Sequence, residues 1–381
     1  MKRGITLLLF ISILFGLTNC KKESANILYS KKYIKEIKVI RREVAVYLTS
    51  NYIPGATVAI SKNSELIYSE AFGLASKDLN VPVTRNTKFR IGPLSELFTS
   101  AAYLRMVEDG VLCPDSTIQH YIPDFPEKES KITLFHLANQ TSGFRIETPE
   151  ETDWNIPIFT VEKGLNYFKN DPLESPPGDF QSPSIFNYNL LGAIMEKSTN
   201  LKYHYILKKY VTDTLSLTNT MVDNPFITIP GRTDFFDLNL FAQKTNARFY
   251  DLRYRAPSQG LLSNADDLVK FANALVHPGY FSEETSKTAF EPIPLYDNMP
   301  STFKNGWTVL IDRQGRKLYA KSGSVNGGSA ALLIYPEEEI IVAMTTNLTS
   351  AINNMPVFKI AKHFFPETES EEVNKKEPDN K

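Results

Sequence analysis

Serine, lysine, tyrosine and asparagine occur at two spacings that could support nucleophilic chemistry. Ser301 and Lys304 are three residues apart, and Tyr296 and Asn298 form a second pair nearby. A lysine one helical turn from a serine can take the hydroxyl proton and make the serine a nucleophile. Both pairs lie beside Pro300 and outside any helical pattern, so we interpret them as chance matches.

Other chemistries have little support in this sequence. The five histidines show no metal-ligand spacing, and no glycine-rich phosphate loop or dinucleotide fingerprint opens a helix. The 42 basic and 43 acidic residues give a net charge of −1 and are scattered along the chain, which argues against nucleic-acid binding. We therefore expect no metal, no cofactor and no nucleic-acid partner.

The elements that would position a site follow from the hydrophobic pattern. A helix is predicted over residues 34–50, and two strands near 56–61 and 66–72 are predicted to form a hairpin, joined by the polar turn at 62–65. A buried helix from about 93 to 109 follows. Loops and short helical segments follow. The C-terminal part of the sequence has the pattern of several strands and a closing helix. These elements are the strands 307–312, 317–323, 329–335 and 340–346 and the helix 351–365. Strands at both ends with helices between predict an α+β fold, in which both termini build one sheet domain that carries an inserted helical domain.

Several ordered fragments across residues 30–365 resemble the penicillin-recognising serine hydrolases. This family includes class C type β-lactamases, low-molecular-weight penicillin-binding proteins and related esterases. The resemblance implies a β-lactamase/transpeptidase-like fold and, in most members, serine acyl transfer. The matching fragments include Ile53-Pro54-Gly55, Phe89-Arg90-Ile91-Gly92, Val107-Glu108-Asp109-Gly110, Thr141-Ser142-Gly143, Leu190-Leu191-Gly192 and Lys321-Ser322-Gly323.

The resemblance places the family's Gly-Ser-x-x-Lys motif on residues 92–96. Pro93 then holds the nucleophile position and Glu96 holds the lysine position. The family's nucleophile also donates its backbone N–H to the oxyanion hole, and proline has no N–H. Pro93 nevertheless suits the first turn of a helix, and Glu96 there complements the helix dipole. We expect Glu96 to form a salt bridge with Lys321.

The family's second motif, Tyr-x-Asn, falls on Pro183 and Ile185, so neither the phenol nor the amide is present. Tyr188 lies nearby, at a position where we expect a packing tyrosine. Ser95 is an alternative nucleophile, but it lies about 200° around the helix from position 93 and should face away from the cleft.

The third motif is retained as Lys321-Ser322-Gly323 on a predicted strand. In the family, the cation and hydroxyl of this motif bind a substrate carboxylate and the strand backbone supplies an oxyanion donor. The resemblance therefore implies that Lys321, Ser322 and Gly323 line a substrate-binding cleft.

The N-terminus resembles a bacterial lipoprotein signal. A basic start precedes an apolar run at residues 5–17, which is shorter than the ~20 residues of a membrane span. The run leads to Cys20, which would carry the lipid after cleavage, although Asn19 departs from the small residue usual at that place. We predict a signal peptide at 1–19 and a lipid-anchored protein of the cell envelope that faces the periplasm or exterior. An ordinary secretory signal is the alternative.

The predicted domain boundaries follow from these signals. A lipid-anchored tether at 20–29 precedes the β-lactamase-related domain at 30–365. Its sheet subdomain comprises about 30–92 and 256–365, and its helical subdomain about 93–255. The charged tail at 366–381 is expected to be disordered.

Three hypotheses about function remain open on the sequence alone. The leading one is a catalytically inactive envelope protein that binds a cell-wall peptide or another small carboxylate through Lys321. The second is an active serine hydrolase that uses Ser95, Ser322 or an unrecognised nucleophile on an ester, a D-alanyl peptide or a β-lactam. The third is a surface interaction protein whose partner binds outside the cleft.

Overall fold

The computed structural model describes residues 26–152, 158–296 and 299–366. The predicted signal peptide, Cys20 and the tail beyond residue 366 lie outside the described residues. The strands are β1 Ile27–Tyr29, β2 Gly55–Lys62, β3 Glu65–Ser76, β4 Val81–Pro82, β5 Phe89–Arg90, β6 Met221–Val222, β7 Phe236–Leu238, β8 Lys244–Asn246, β9 Leu261–Ser263, β10 Phe303–Lys304, β11 Trp307–Ile311, β12 Lys317–Val325, β13 Gly328–Tyr335 and β14 Ile340–Thr346.

Most of the helices lie between the strands of the N-terminal and C-terminal parts of the chain. The helices are α1 Ile34–Ser50, α2 Ser95–Glu108, α3 Ile118–Tyr121, α4 Leu134–Ala138, α5 Pro149–Thr152, α6 Val161–Gly164, α7 Ile185–Thr199, α8 Tyr203–Leu207, α9 Ala265–Val276, α10 Glu283–Thr288 and α11 Val357–Lys362. A 3₁₀ turn at Gly92–Leu94 leads into α2, and a π-helical turn at Lys208–Thr212 follows α8.

One antiparallel sheet organises the fold, with strand order β1-β3-β2-β14-β13-β12-β11-β10. Strands from the two ends of the chain meet where β2 pairs with β14, with Thr57 opposite Thr345. The predicted fold class is therefore confirmed: a mixed α and β structure whose sheet is built from both terminal parts of the chain.

The sheet is covered by helices on both faces. Along β2, Val58 and Ile60 pack in one core with α1 and α11, while Ala59 belongs to the opposite core with α2, α7 and α9. Side chains of a strand alternate between the two faces, so these three adjacent residues contribute to both cores.

The turn between β2 and β3 matches the predicted hairpin. Its central residues, Asn63 and Ser64, have φ angles of 51° and 63°. Two consecutive left-handed residues give the turn a twist that suits the right-handed twist of the flanking strands. The turn residues predicted from composition therefore adopt the backbone that a tight hairpin requires.

Two predicted boundaries differ from the structure. The tether was expected to extend to residue 29, but Ile27–Tyr29 forms an edge strand paired with β3. Three residues are too few to show the alternation that identifies a strand. The closing helix was expected over 351–365. In the structure, α11 begins only after Pro356, and the residues just before it form turns.

The predicted helical subdomain stays a prediction as a separate unit. Residues 93–255 supply most of the helices, but they also supply β6, β7 and β8. β6 pairs with β9, and β7 is bridged to Leu348 at the end of the large sheet.

Candidate functional site

The start of α2 packs against β12. Gly92 has a φ of +51°, and a Cβ built there would lie 3.2 Å from the carbonyl carbon of Ser324. Pro93 follows in the first turn, where a missing N–H costs no helical hydrogen bond. A Cβ on Gly323 would approach Pro93 Cδ and Cγ to 2.5 Å. The proline ring therefore lies directly against the glycine of the third motif.

Glu96 and Lys321 form the predicted salt bridge. The Lys321 Nζ lies 2.6 Å from Glu96 Oε2, and the two side chains are only 9% and 6% exposed. The Nζ also lies 4.5 Å from the centre of the Phe303 ring. Burial raises the pKa of the Glu96 carboxyl, while Lys321 and a hydrogen bond with Gln140 act to lower it. The Lys321 ammonium is thus paired inside the protein.

The other two residues of the third motif differ in exposure. The Ser322 side chain is exposed, and Gly323 is buried. Alternation along β12 explains this difference, because Lys321 and Gly323 face α2 while Ser322 faces the other way. The three residues predicted to bind substrate therefore do not present one common surface.

Ser95 faces away from Pro93, as predicted. It is fully buried, its Oγ donates to the Gly92 carbonyl at 2.7 Å, and it accepts the Leu261 N–H at 3.1 Å. These two bonds join the start of α2 to β9. The hydroxyl therefore has a structural role at this position.

The second-motif segment begins α7. Ser184, between Pro183 and Ile185, caps the helix: its Oγ accepts the Phe186 N–H at 3.3 Å and donates to the Arg145 carbonyl at 2.6 Å. Pro183 and Ile185 carry no group that can transfer a proton. No general base comes from these two positions.

Tyr188 is a core tyrosine, as expected. It is fully buried, and its hydroxyl donates to the Ala138 carbonyl at 2.8 Å. Burial raises its pKa well above the ordinary value, and the Glu96 charge acts in the same direction. A phenol held in this state is a poor general base at neutral pH.

The sequence analysis did not identify Gln140 and Asn187 as site residues. Gln140 hydrogen-bonds Glu96, and its Oε1 accepts the Ser184 N–H at 2.9 Å and a bond from Asn187 Nδ2. Asn187 also accepts a bond from Ser142 Oγ. In the sequence, the only indication of their role was the Thr141-Ser142-Gly143 fragment, which resembles the family and follows Gln140 directly. A buried polar network thus links Glu96 to the start of α7.

The chance serine–lysine match does not form a catalytic pair. Ser301 Oγ donates to the Phe303 carbonyl at 2.7 Å, and Lys304 Nζ lies 5.2 Å from the centre of the Phe135 ring. Burial lowers the pKa of Lys304. Tyr296 is exposed, and Asn298 lies outside the described residues.

Two cavities lie outside this site. One of about 710 Å³ is bordered by α8 and the π-helical turn, and one of about 380 Å³ lies beside Arg90 and Phe235. Neither is lined by Pro93, Glu96 or Lys321.

The described residues contain neither a candidate metal centre nor a candidate membrane-spanning helix. Within them, no group of three or more His, Cys, Asp or Glu side chains is arranged to hold a metal ion. No helix in the described ranges has the length and apolar content to cross a bilayer.

Comparisons with known proteins agree with this geometry. The family model described as Beta-lactamase matches residues 40–357. The chain belongs to the beta-lactamase family. Among curated relatives, the human serine beta-lactamase-like protein LACTB, mitochondrial, is 25% identical, and the match covers 82% of this chain and 76% of the relative. A beta-lactamase of Providencia stuartii is also 25% identical, with 77% of this chain and 82% of that protein covered.

Solved structures show the same fold. The octameric penicillin-binding protein homologue from Pyrococcus abyssi matches with a TM-score of 0.75 and 21% identity. That match covers 85% of this chain and 75% of the homologue. The chain therefore shares the fold of this penicillin-binding protein homologue.

Proposed function

We propose that this beta-lactamase-family protein is a non-hydrolytic binding protein, exported and anchored to a membrane through Cys20. The observation that carries the proposal is the start of α2, where Pro93 packs on Gly323 and Glu96 pairs with Lys321. The family's chemistry places a serine and a lysine at these two positions.

The arrangement opposes acyl transfer in three ways. Pro93 has neither a hydroxyl to attack a carbonyl nor an N–H to stabilise an oxyanion. Loss of one oxyanion donor typically costs about 10²–10³ in rate. Glu96 bonds the very cation that would otherwise bind or activate substrate. Ser95, the nearest serine, is buried and holds β9.

The proposed ligand is a carboxylate, such as a cell-wall peptide, and its binding to Lys321 requires that Glu96 be displaced. A carboxylate can reach Lys321 only by replacing Glu96, which would leave a buried anion without its partner. Glu96 would then take up a proton, and its raised pKa makes this uptake easier. Binding at Lys321 is therefore coupled to protonation of Glu96.

This coupling predicts tighter carboxylate binding at acidic pH. Titration calorimetry with a D-alanyl-D-alanine peptide at about pH 5.5 and about pH 7.5 measures this pH dependence. The affinity should rise as the pH falls toward the pKa of Glu96. Glu96→Gln should bind with little pH dependence. Equal affinity of the wild type at both pH values would remove Lys321 as the binding group and favour a partner outside the cleft.

Intact mass spectrometry tests the absence of hydrolysis. The chain from Lys21 on, incubated with a penicillin and separately with a fluorophosphonate, should gain no covalent mass. The Pro93→Ser/Glu96→Lys variant, which restores the family residues, is the matched comparison for reagent access. A stoichiometric adduct on the wild type that is lost in Ser95→Ala would establish the active-hydrolase hypothesis instead.

A further inference from the structure

The β7–β8 hairpin presents two large apolar side chains to solvent. Leu240 is fully exposed and Phe241 is 84% exposed, and they are adjacent at the tip. Single exposed apolar residues are normal, but two neighbours at the end of a projection expose apolar area without any internal packing. The tip is therefore a candidate surface for contact with a partner outside this chain.

The turn is built so that both side chains stay outside. Asn239 Oδ1 accepts the Phe241 N–H at 2.9 Å and the Gln243 N–H at 3.0 Å. The Asn239 N–H donates to the Gln243 carbonyl at 3.0 Å, and the Ala242 N–H donates back to Asn239 at 2.9 Å. Asn239 thus fixes the backbone of the tip, and the exposed pair has a defined position.

The hairpin projects from one end of the large sheet. The Phe236 N–H donates to the Asn347 carbonyl, and the Thr349 N–H donates to the Phe236 carbonyl, both at 3.0 Å. Phe236 is bridged to Leu348 in parallel, and residues 347–349 follow directly after β14. The first hairpin strand therefore starts beside the end of β14.

The N-terminal segment leaves the sheet at that same end. The Ala71 N–H donates to the Asn26 carbonyl at 2.9 Å, and Ile27 lies opposite Glu70. Because β1 is antiparallel to β3, its first residue lies on the side of Ser76, where β3 ends. β3 and β14 both run antiparallel to β2, so their C-terminal ends lie at one end of the sheet.

We propose that the hairpin tip inserts Leu240 and Phe241 into the surface of the lipid bilayer that holds the N-terminus. The described part of the chain begins at Asn26, at the end of the sheet that carries the hairpin, and Cys20 precedes Asn26 by six positions in the sequence. The exposed Lys244 on β8 lies behind the tip, where its ammonium can meet lipid head groups. Two attachments would then fix the orientation of the protein on the membrane.

The test places a fluorescent residue at the tip. The chain from Lys21 on, which retains every described element, is tethered to vesicles by an N-terminal histidine tag and a nickel-chelating lipid. The tag replaces the lipid anchor, so the test does not depend on acylation of Cys20 or on the proposed function. Phe241→Trp is compared with Ile311→Trp, because Ile311 is 73% exposed at the far end of β11. The wild-type spectrum is subtracted from each, since the two natural tryptophans are common to all three proteins.

Insertion predicts that the emission of the tryptophan introduced by Phe241→Trp shifts to the blue and is quenched by brominated acyl chains, with neither change in Ile311→Trp. Leu240→Asp in the Phe241→Trp protein should abolish both effects, because it puts a charge into the inserted tip. Equal quenching at the two positions would overturn the proposal. So would a blue shift that follows protein concentration without quenching, since it would assign the tip to contact with a second copy.

Discussion

At the scale of single residues, Glu96 at the start of α2 and Lys321 on β12 form a buried ion pair. Glu96 and Lys321 are joined at 2.6 Å, with almost no exposure of either side chain. A buried pair of this kind adds little net stability, because desolvation offsets the attraction, but losing one partner is costly. The pair therefore constrains which substitutions the protein can accept at these two positions.

Removal of one partner of this pair should cost more stability than removal of both. Lys321→Met is expected to lower the free energy of unfolding by about 3–5 kcal/mol, because Glu96 is left buried without its cation. Glu96→Gln/Lys321→Met should recover most of that loss. Urea unfolding of the three proteins measures both values, and equal losses in the single and double variants would show that the pair is not coupled.

The pH dependence of the single variant gives a second readout. Without Lys321, the pKa of Glu96 should rise further above its ordinary value of 4.5, because the lowering influence is removed. A carboxyl with a raised pKa in the folded state stabilises the fold below its unfolded pKa, and that contribution is lost as pH rises through the folded pKa. Lys321→Met should thus lose stability toward neutral pH more steeply than the wild type.

At the scale of elements, the contact between α2 and β12 depends on a proline and a glycine together. The Pro93 ring occupies the space that a side chain at position 323 would need. Position 323 therefore favours glycine, which has no Cβ. Close packing of the two backbones is a sufficient physical reason for it.

A double-mutant cycle tests this contact. Gly323→Ala should destabilise the protein by about 1–3 kcal/mol, because the new Cβ overlaps the proline ring. Pro93→Ala removes Cγ and Cδ, the two atoms nearest that Cβ, so the double variant should regain a large part of the loss. Thermal unfolding of the four proteins gives the interaction energy, and strict additivity would contradict the packing account.

At the scale of the whole molecule, Arg90 joins segments that are distant in the chain. Its Nε donates to Asp223 at 2.7 Å, its Nη1 to the Asn326 carbonyl at 2.9 Å and its Nη2 to the Tyr250 carbonyl at 3.1 Å. Its guanidinium also lies 3.9 Å from the centre of the Phe235 ring. One buried cation thus ties the base of the β7–β8 hairpin to the turn between β12 and β13.

Loss of the Arg90 partner should therefore act at a distance. Asp223→Ala is expected to cost about 3–5 kcal/mol, since Asp223 is fully buried and Arg90 is left without its anion. Amide exchange should accelerate in the hairpin as well as near residue 326. Lys287→Ala is the control: Lys287 and its partner Glu283 are both mostly exposed, so the change should cost no more than about 1 kcal/mol.

The sequence by itself determined the longer local elements and the two residues of one buried ion pair. Strand-forming runs of five or more residues bounded by turn residues specified β2, β3 and β11 to β14. Helical spacing specified α1, because one buried face of a helix leaves a regular pattern. The motif register also located Glu96 and Lys321, whose opposite charges predicted their pairing across 225 positions.

Only the tertiary structure decided which groups surround that pair. Gln140 and Ser142, from the loop after α4, form a network with Asn187 of α7, and Arg90 meets carbonyls of residues 250 and 326. Such contacts carry no periodic signal, because each joins one side chain to a side chain or a backbone group far away in the chain. The edge strand β1 and the direction of the hairpin were also invisible, since pairing partners and strand ends are set by the assembled sheet.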